Sequence, residues 1–212
     1  MKERPILFSG EMVRAILDGR KTMTRRVIKP QPPISWDVCE PVEHTSGVFC
    51  FYRSSDTDFH GYKKCPYGQH GDRLWVKETW ASMNSVDHLS PKDIELLCRD
   101  AGYKTGPCGD LWYKADNSYR QWGDDNQTKG KWRSSRFMPR WASRINLEVV
   151  SVRVERVQDI SEDDARAEGI SNPLGSLALN IFPSLWDSIN LKRGYGWDTN
   201  PWVWVIEFKR LP

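Results

Sequence analysis

The sequence has few histidines and no long hydrophobic run. Among its 212 residues there are four histidines, and the longest apolar stretches, such as residues 202–206, are far too short to cross a bilayer. The first residues carry charges and lack the apolar core and small-residue cleavage site of a signal peptide. We therefore expect a cytoplasmic protein without a membrane partner.

Several catalytic and cofactor motifs are also missing. No G-x-S-x-G, H-E-x-x-H or G-x-G-x-x-G pattern occurs in the chain. Residues 19–22, Gly-Arg-Lys-Thr, resemble the end of a P-loop, but a P-loop carries glycine directly before its lysine. The histidines lie in polar contexts without an obvious serine or aspartate partner, so we expect solvated loop residues and no cofactor.

The five cysteines form no recognisable disulfide or zinc pattern. Their number is odd, and no Cys-x-x-Cys pair is present. A zinc site would have to draw on Cys39, Cys50, Cys65, His60 and His70, whereas tetrahedral sites normally take their ligands from closely spaced pairs. Free buried thiols are therefore expected, and structural zinc is the less favoured alternative.

The composition is that of a folded domain rich in tryptophan. Hydrophobic residues make up 39% of the chain and charged residues 28%, which excludes a low-complexity disordered protein. The length fits one domain over residues 1–212. Of the eleven tryptophans, six fall in or beside two segments without clear periodicity, residues 31–70 and 81–144. There we expect a second small core in preference to a base-stacking lid.

Hydrophobic periodicity predicts strands separated by short helices. Strands are expected at residues 5–9, 20–29, 73–80, 111–115, 145–157 and 202–209. Helices are expected at residues 10–18, 91–100, 161–168 and 184–190, with capping signals at Gly19, Ser90 and Ser161. This order predicts the α+β class: a small mixed β-barrel with flanking short helices, interrupted by two loop-rich insertions at about 31–70 and 81–144.

Two basic segments indicate a ligand that carries phosphates or bases. Residues 14–29 hold six lysines and arginines against one aspartate, and residues 120–144 hold seven against two, interleaved with aromatic residues. Positive charge follows a phosphate backbone, and aromatic faces stack on unpaired bases. Solvated surface charge explains the second segment equally well. The candidate contacts are Arg20, Arg25, Arg26, Arg136, Arg140 and Trp141.

Residues 16–26, Ile-Leu-Asp-Gly-Arg-Lys-Thr-Met-Thr-Arg-Arg, resemble the signature of the ASCH domain family. In that family a helix and a glycine precede Lys-Thr-x-Thr-x-Arg on the next strand. Weaker blocks at residues 71–76, 149–168 and 204–209 follow in the family's order, and the chain looks like larger ASCH-containing proteins of phages and prophages. The resemblance implies a PUA-like barrel, RNA or a modified nucleoside as ligand, and a bacterial or phage-infected cell.

The resemblance also implies a chemistry. Small bacterial members that share the motif hydrolyse N4-acetylcytidine with a lysine, a threonine and a glutamate. By position these roles pass to Lys21 as base, Thr24 as nucleophile or water-orienting group, and Glu168 as proton shuttle, with Arg26 touching the substrate. Because Lys21 and Thr24 are three residues apart, a bend after Gly19 or a bulge must bring their side chains together.

Three functions remain open on this evidence. The first is an amidohydrolase acting on N4-acylcytidine-type substrates. The second is a non-catalytic reader of RNA or single-stranded nucleic acid, or a single-strand nuclease. The third is a phage structural or host-interaction protein. The chain is much longer than the small hydrolytic members, so its insertions narrow the pocket to a nucleoside, reshape it for a strand, or block it.

Overall fold

The computed structural model describes residues 1–102, 111–116, 129–170 and 177–212, and within these ranges it contains ten strands and four α-helices. The strands are β1 (Glu3–Leu7), β2 (Met23–Val27), β3 (Val38–Pro41), β4 (Val48–Arg53), β5 (Asp56–Lys64), β6 (Arg73–Lys77), β7 (Trp80–Ala81), β8 (Trp112–Tyr113), β9 (Asn146–Arg156) and β10 (Trp202–Arg210). The helices are α1 (Gly10–Leu17), α2 (Pro91–Asp100), α3 (Glu162–Ala167) and α4 (Ala178–Asn190). The α+β class is confirmed.

The main sheet has five strands in the order β1-β6-β9-β10-β2. Only the β1–β6 pair is parallel; the other neighbours run antiparallel. Strand β10, which lies between β9 and β2, is buried on both faces: Trp204 and Ile206 join one core, while Val203 and Val205 join a second core beneath α3 and α4. This burial explains the continuous apolar run that marks β10 in the sequence.

The strands that the structure describes form no closed barrel. In the five-stranded sheet β1 and β2 are the two edges, and no strand pairing joins them. Across the gap the contact is made by a side chain: the Arg26 guanidinium on β2 donates to the carbonyl of Leu7 at the end of β1, at 2.6 Å. The opening left between these edges becomes part of a cavity.

The first insertion is ordered, where an irregular segment was expected. Residues 38–64 form an antiparallel sheet in the order β3-β4-β5, which packs on the main sheet through two ring contacts. Phe49 lies 5.4 Å from Trp204, and Phe51 lies 5.6 Å from Trp202, both edge to face. Gly61 on β5 leaves room for Trp36, because a Cβ there would lie 2.7 Å from the indole ring.

The second insertion contributes a small core of its own, as predicted. Trp80 is fully buried and packs edge to face on Trp141 with their rings 5.5 Å apart. Met138 and Ala142 complete this cluster. Another tryptophan of the insertion, Trp122, lies outside the described residues. Trp80, directly before the insertion, and Trp141 within it therefore serve as core residues.

Helices α2 and α3 begin after their predicted N-caps, Ser90 and Ser161, whereas the N-cap of α1, Ser9, was not predicted. Ser9, Ser90 and Ser161 cap α1, α2 and α3 by accepting backbone N–H bonds. Helix α4 starts six residues before the predicted position and carries Pro183 inside it. Its first N–H groups donate to the Glu162 carboxylate of α3, at 2.9 and 3.0 Å. Within the described ranges, no helix has the length and apolar character needed to span a membrane.

Candidate functional site

The chain bends sharply between α1 and β2, and this bend positions Lys21. Gly19 adopts a left-handed conformation with φ of 75°, which favours glycine at the end of a helix. The backbone N–H groups of Arg20 and Lys21 both donate to the Ala15 carbonyl, at 2.9 and 3.0 Å. Regular strand β2 begins only at Met23. Because Lys21 precedes the strand, it is free of strand alternation and lines the same cavity as Thr24.

Glu168 reaches this bend from the end of α3. Its backbone forms an isolated antiparallel bridge with Lys21, and Gly169 follows with φ of 87°. A Cβ on Gly169 would lie 2.9 Å from the Cβ atoms of Ala15 and Lys21. Glycine at this position therefore allows the end of α3 to approach the bend closely.

Lys21 and Glu168 form a buried, hydrogen-bonded ion pair. The Lys21 Nζ lies 2.7 Å from Glu168 Oε2 and 2.7 Å from the Glu168 carbonyl oxygen. The other carboxylate oxygen, Oε1, accepts the backbone N–H of Arg25 at 2.6 Å. Lys21, Thr24 and Glu168 all line one cavity of about 890 Å³. The structure thus brings together the three residues that the motif nominates.

Burial dominates the electrostatics of Lys21, whose side chain is only 1% exposed. Desolvation lowers the pKa of Lys21 from its ordinary value, and the charges of Arg26 and Arg25 lower it further. The Glu168 carboxylate opposes this shift but does not cancel it. The proton of Lys21 is therefore held less tightly than that of an ordinary lysine, and it lies beside a carboxylate that can share it.

Arg25 is held inside the protein by carboxylates. Its guanidinium has no exposed surface and donates to Asp164 at 2.6 Å and to Glu155 at 2.9 Å. Arg153 binds the same two carboxylates from the other side. Arg25, which sequence analysis named as a ligand contact, lines the cavity, and it also supports Glu168, which accepts its backbone N–H.

Arg26, the next residue, lines the cavity and has a hydrogen-bond donor without a partner among the described residues. Its guanidinium carbon lies 5.0 Å from the centre of the Phe8 ring, a cation–π distance. Its Nε is buried and has no hydrogen-bond partner in the part of the chain that the structure describes. Burial lowers the pKa of Arg26, while Tyr67 and Glu168 raise it. A donor in this state suits a bound carbonyl or anion.

The other predicted contacts lie outside this cavity. Arg20 pairs with Asp18 at 2.8 Å on the exposed side of the bend. Arg140 pairs with Glu3 at 3.2 Å, and Trp141 belongs to the small core around Trp80. Arg136 is absent from the lining as well, although its neighbour Ser135 contributes to it. The residues that sequence analysis named in the second basic segment therefore do not line the cavity that contains Lys21.

Sequence reasoning missed most of the cavity wall. One side is apolar and comes from α4, another is aromatic, and a third is basic. The residues concerned are Phe182, Leu185, Trp186 and Ile189; Phe8, Tyr67 and Trp204; and Lys29, Lys63, Lys64 and Arg193. The apolar period of α4 was a usable signal. Nothing local in residues 31–70 marked Lys63 and Lys64 as neighbours of Lys21.

Among the residues with described positions, no group of three or more histidines, cysteines and carboxylates could hold a metal ion. Cys39, Cys50 and Cys65 are free thiols, and Cys108 lies outside the described ranges. Burial raises the pKa of Cys39 to about 12 and that of Cys65 to about 11, so these thiols are poor nucleophiles.

The fold and site define a mixed α+β protein whose cavity is built around a buried lysine–glutamate pair beside a threonine. Comparison with protein-family models, with curated proteins and with solved structures finds no match for this chain.

Proposed function

We propose that this chain is an ASCH-type protein with a PUA-like core that binds modified nucleosides and hydrolyses the N4-acyl amide of cytidine. The observation that carries the proposal is the gathering of Lys21, Thr24 and Glu168 on one cavity, with Lys21 and Glu168 2.7 Å apart. Amide hydrolysis needs a nucleophile, a proton acceptor and a proton donor to the leaving amine. These three side chains can supply all of them.

The proposed reaction runs in two steps. The Thr24 hydroxyl adds to the acyl carbon while its proton passes to neutral Lys21. The C–N4 bond then breaks, and N4 takes that proton, which releases cytidine and leaves the acyl group on Thr24. Water adds to this ester in the same way, and the acid departs as Thr24 recovers its proton. Glu168, at 2.7 Å from the Lys21 amine, shares the proton during both steps.

The remaining cavity groups suit the rest of such a substrate. The unpartnered Nε of Arg26 can donate to the acyl oxygen, where negative charge develops as the carbonyl is attacked. Phe8, Tyr67 and Trp204 offer aromatic faces for a pyrimidine ring. A cavity of about 890 Å³ is large enough for a nucleoside-sized ligand.

A second candidate is a non-catalytic reader of RNA or single-stranded nucleic acid. Seven cationic side chains line the cavity against one carboxylate, which favours an anionic ligand whether or not chemistry follows. On this alternative Lys21 and Glu168 serve only to hold the bend before β2. No comparable observation favours a phage structural or host-interaction role.

The two candidates separate in one experiment. The protein is incubated with N4-acetylcytidine, and cytidine is measured by mass spectrometry. The wild type should release cytidine, and Lys21→Ala should not. Absence of turnover by the wild type, or undiminished turnover by Lys21→Ala, would contradict the hydrolase proposal.

Thr24 offers a matched pair of variants for the nucleophile. Thr24→Ser keeps the hydroxyl, whereas Thr24→Val keeps the shape and removes it. We expect Thr24→Ser to retain most of the activity and Thr24→Val to lose it by roughly 10²-fold or more. If Thr24→Val is as active as Thr24→Ser, a water molecule is the nucleophile and Thr24 has no chemical part.

A further inference from the structure

The outer part of the cavity carries four cations that the proposed chemistry does not use: Lys29, Lys63, Lys64 and Arg193. Three of them are exposed and Lys63 is half-buried, so they lie nearer to solvent than Lys21 does. Lys29 Nζ sits 5.0 Å from the centre of the Tyr195 ring. Among the residues whose positions are described, none of the four forms an ion pair with a carboxylate.

These outer cations differ from the inner ones in how their charge is balanced. Lys21 is paired with Glu168, and Arg25 is paired with Asp164 and Glu155. At the outer part, the charge of Arg193 lowers the pKa of Arg26. Unbalanced like charges that converge on one opening attract an anion, since an anion relieves their mutual repulsion.

The four cations also come from separate parts of the chain. Lys63 and Lys64 end β5 of the inserted sheet, Lys29 follows β2, and Arg193 follows α4. The inserted sheet is anchored at this place by Phe49, which is opposite Lys63 in register and contacts the cavity residue Trp204. The first insertion therefore adds positive charge to the cavity without filling it.

We propose that the outer cations bind a phosphate, so that the substrate is a nucleotide, an N4-acylcytidine with a phosphate on its ribose, and not the bare nucleoside. This inference rests on the proposed function, because the same cavity takes the base. The base lies inward toward Lys21 and Glu168, stacked against the aromatic wall. The ribose then directs its phosphate outward to Lys63, Lys64 and Arg193.

The phosphate group is common to a free nucleotide and to a residue within an RNA strand. The cations are mostly exposed, so each contributes modestly and its contribution weakens with salt. Acting together, they should favour a phosphorylated ligand by about tenfold at low ionic strength.

The test compares cytidine with cytidine 5′-monophosphate in calorimetric titrations. The wild type should bind the monophosphate about tenfold more tightly, and this ratio should shrink as salt is raised. In the double variant Lys63→Gln/Lys64→Gln, and in Arg193→Gln, the ratio should fall toward one. Lys92→Gln, an exposed lysine on α2 that does not line the cavity, is the matched control and should keep the wild-type ratio.

The outcomes separate this inference from the proposed activity. Equal affinity for the two ligands, failure of both to bind, or an unchanged ratio in the variants would overturn the phosphate site. If N4-acetylcytidine is hydrolysed but the ratio is one, the activity stands and the phosphate site falls. If the monophosphate binds about tenfold more tightly but no acyl group is released, the phosphate site stands and the proposed activity falls. A short oligoribonucleotide that contains N4-acetylcytidine, compared with the acetylated monophosphate, distinguishes a strand from a free nucleotide; the phosphate site stands only if at least one of them binds more tightly than N4-acetylcytidine.

Discussion

Glu168 and Glu78, two of the buried carboxylates that the structure describes, have different surroundings. Glu168 is 5% exposed and Glu78 is 1% exposed, and each is paired with a cation. Glu168 faces the cavity and binds Lys21. Glu78 lies outside the cavity and is held by Arg144 through two bonds, of 2.9 and 3.2 Å, while Arg144 also binds Asp116 and packs on the Tyr113 ring.

The two cations decide what each pair can do. Burial lowers the pKa of Lys21 and the Glu168 carboxylate does not fully restore it, so this lysine can lose and regain a proton. Burial also tends to lower the pKa of Arg144. The hydrogen bonds of Arg144 to Asp116 and Glu78 outweigh this effect and raise its pKa above the ordinary value. We assign the Arg144 pair a structural role, because it lies outside the cavity and its arginine stays charged.

The largest expected effect is on activity, and it separates the two cations. Lys21→Met should lower kcat/KM for N4-acetylcytidine by roughly 10³-fold, because it removes the base. Arg144→Met, assayed per folded molecule, should stay within about threefold of the wild type. Initial rates of cytidine release measure both. Equal losses of kcat/KM in the two variants would show that neither pair has a special part in catalysis.

The next effect is on stability, and here the structural pair dominates. Arg144→Met leaves the Glu78 carboxylate buried without its partner and should lower the free energy of unfolding by about 3 kcal/mol. In Arg144→Met/Glu78→Met much of that loss should return, because no buried charge remains. Urea denaturation followed by tryptophan fluorescence measures both variants. A loss below about 1 kcal/mol in the single variant would mean that solvent reaches Glu78.

A smaller effect is expected in the pH dependence. Neutral Lys21 is the active form, and burial lowers its pKa, so kcat/KM should rise with pH through a midpoint below 10.5. Arg144→Met should leave this midpoint unchanged, because Arg144 does not titrate in the range. Stopped assays across a buffer series give the profile. A rate that falls as pH rises through this range would show that protonated Lys21 is required.

The smallest effect concerns a cation outside both pairs. Arg140 is 43% exposed and binds Glu3 on the surface, away from the cavity. Arg140→Gln should change kcat/KM by less than about twofold and stability by less than about 0.5 kcal/mol. The same rate and urea measurements apply. A larger loss of activity would mean that the second basic segment reaches the ligand after all.

The elements that sequence analysis predicted best are those with a local signal. Strands β6, β9 and β10 follow apolar alternation or continuous apolar runs, and α2 follows its Ser90 cap. The inserted sheet was not predicted, because its strands lack a clear hydrophobic period of two. Residues 48–52 are apolar on both faces, and β5 is largely polar. Helix α4 was shortened at Pro183, although its true start depends on Glu162, a contact from another helix.

The site was predictable only as far as its motif extends. The resemblance of residues 16–26 and 149–168 to the ASCH family pattern nominated Lys21, Thr24 and Glu168, which line one cavity in the structure. The role of Arg25 could not be foreseen, because its partners Glu155 and Asp164 lie about 130 residues away in sequence. Likewise Lys63 reaches the cavity only through the packing of an inserted sheet on Trp204.

The central claim is that the carboxylate facing the cavity takes part in chemistry and the enclosed one does not. The most direct measurement is the rate of cytidine release from N4-acetylcytidine by Glu168→Gln and by Glu78→Gln, at equal concentrations of folded protein. Glu168→Gln should be roughly 10²-fold or more slower than the wild type, and Glu78→Gln should be within about threefold of it. Equal rates for the two variants, or no cytidine from the wild type, would contradict the account.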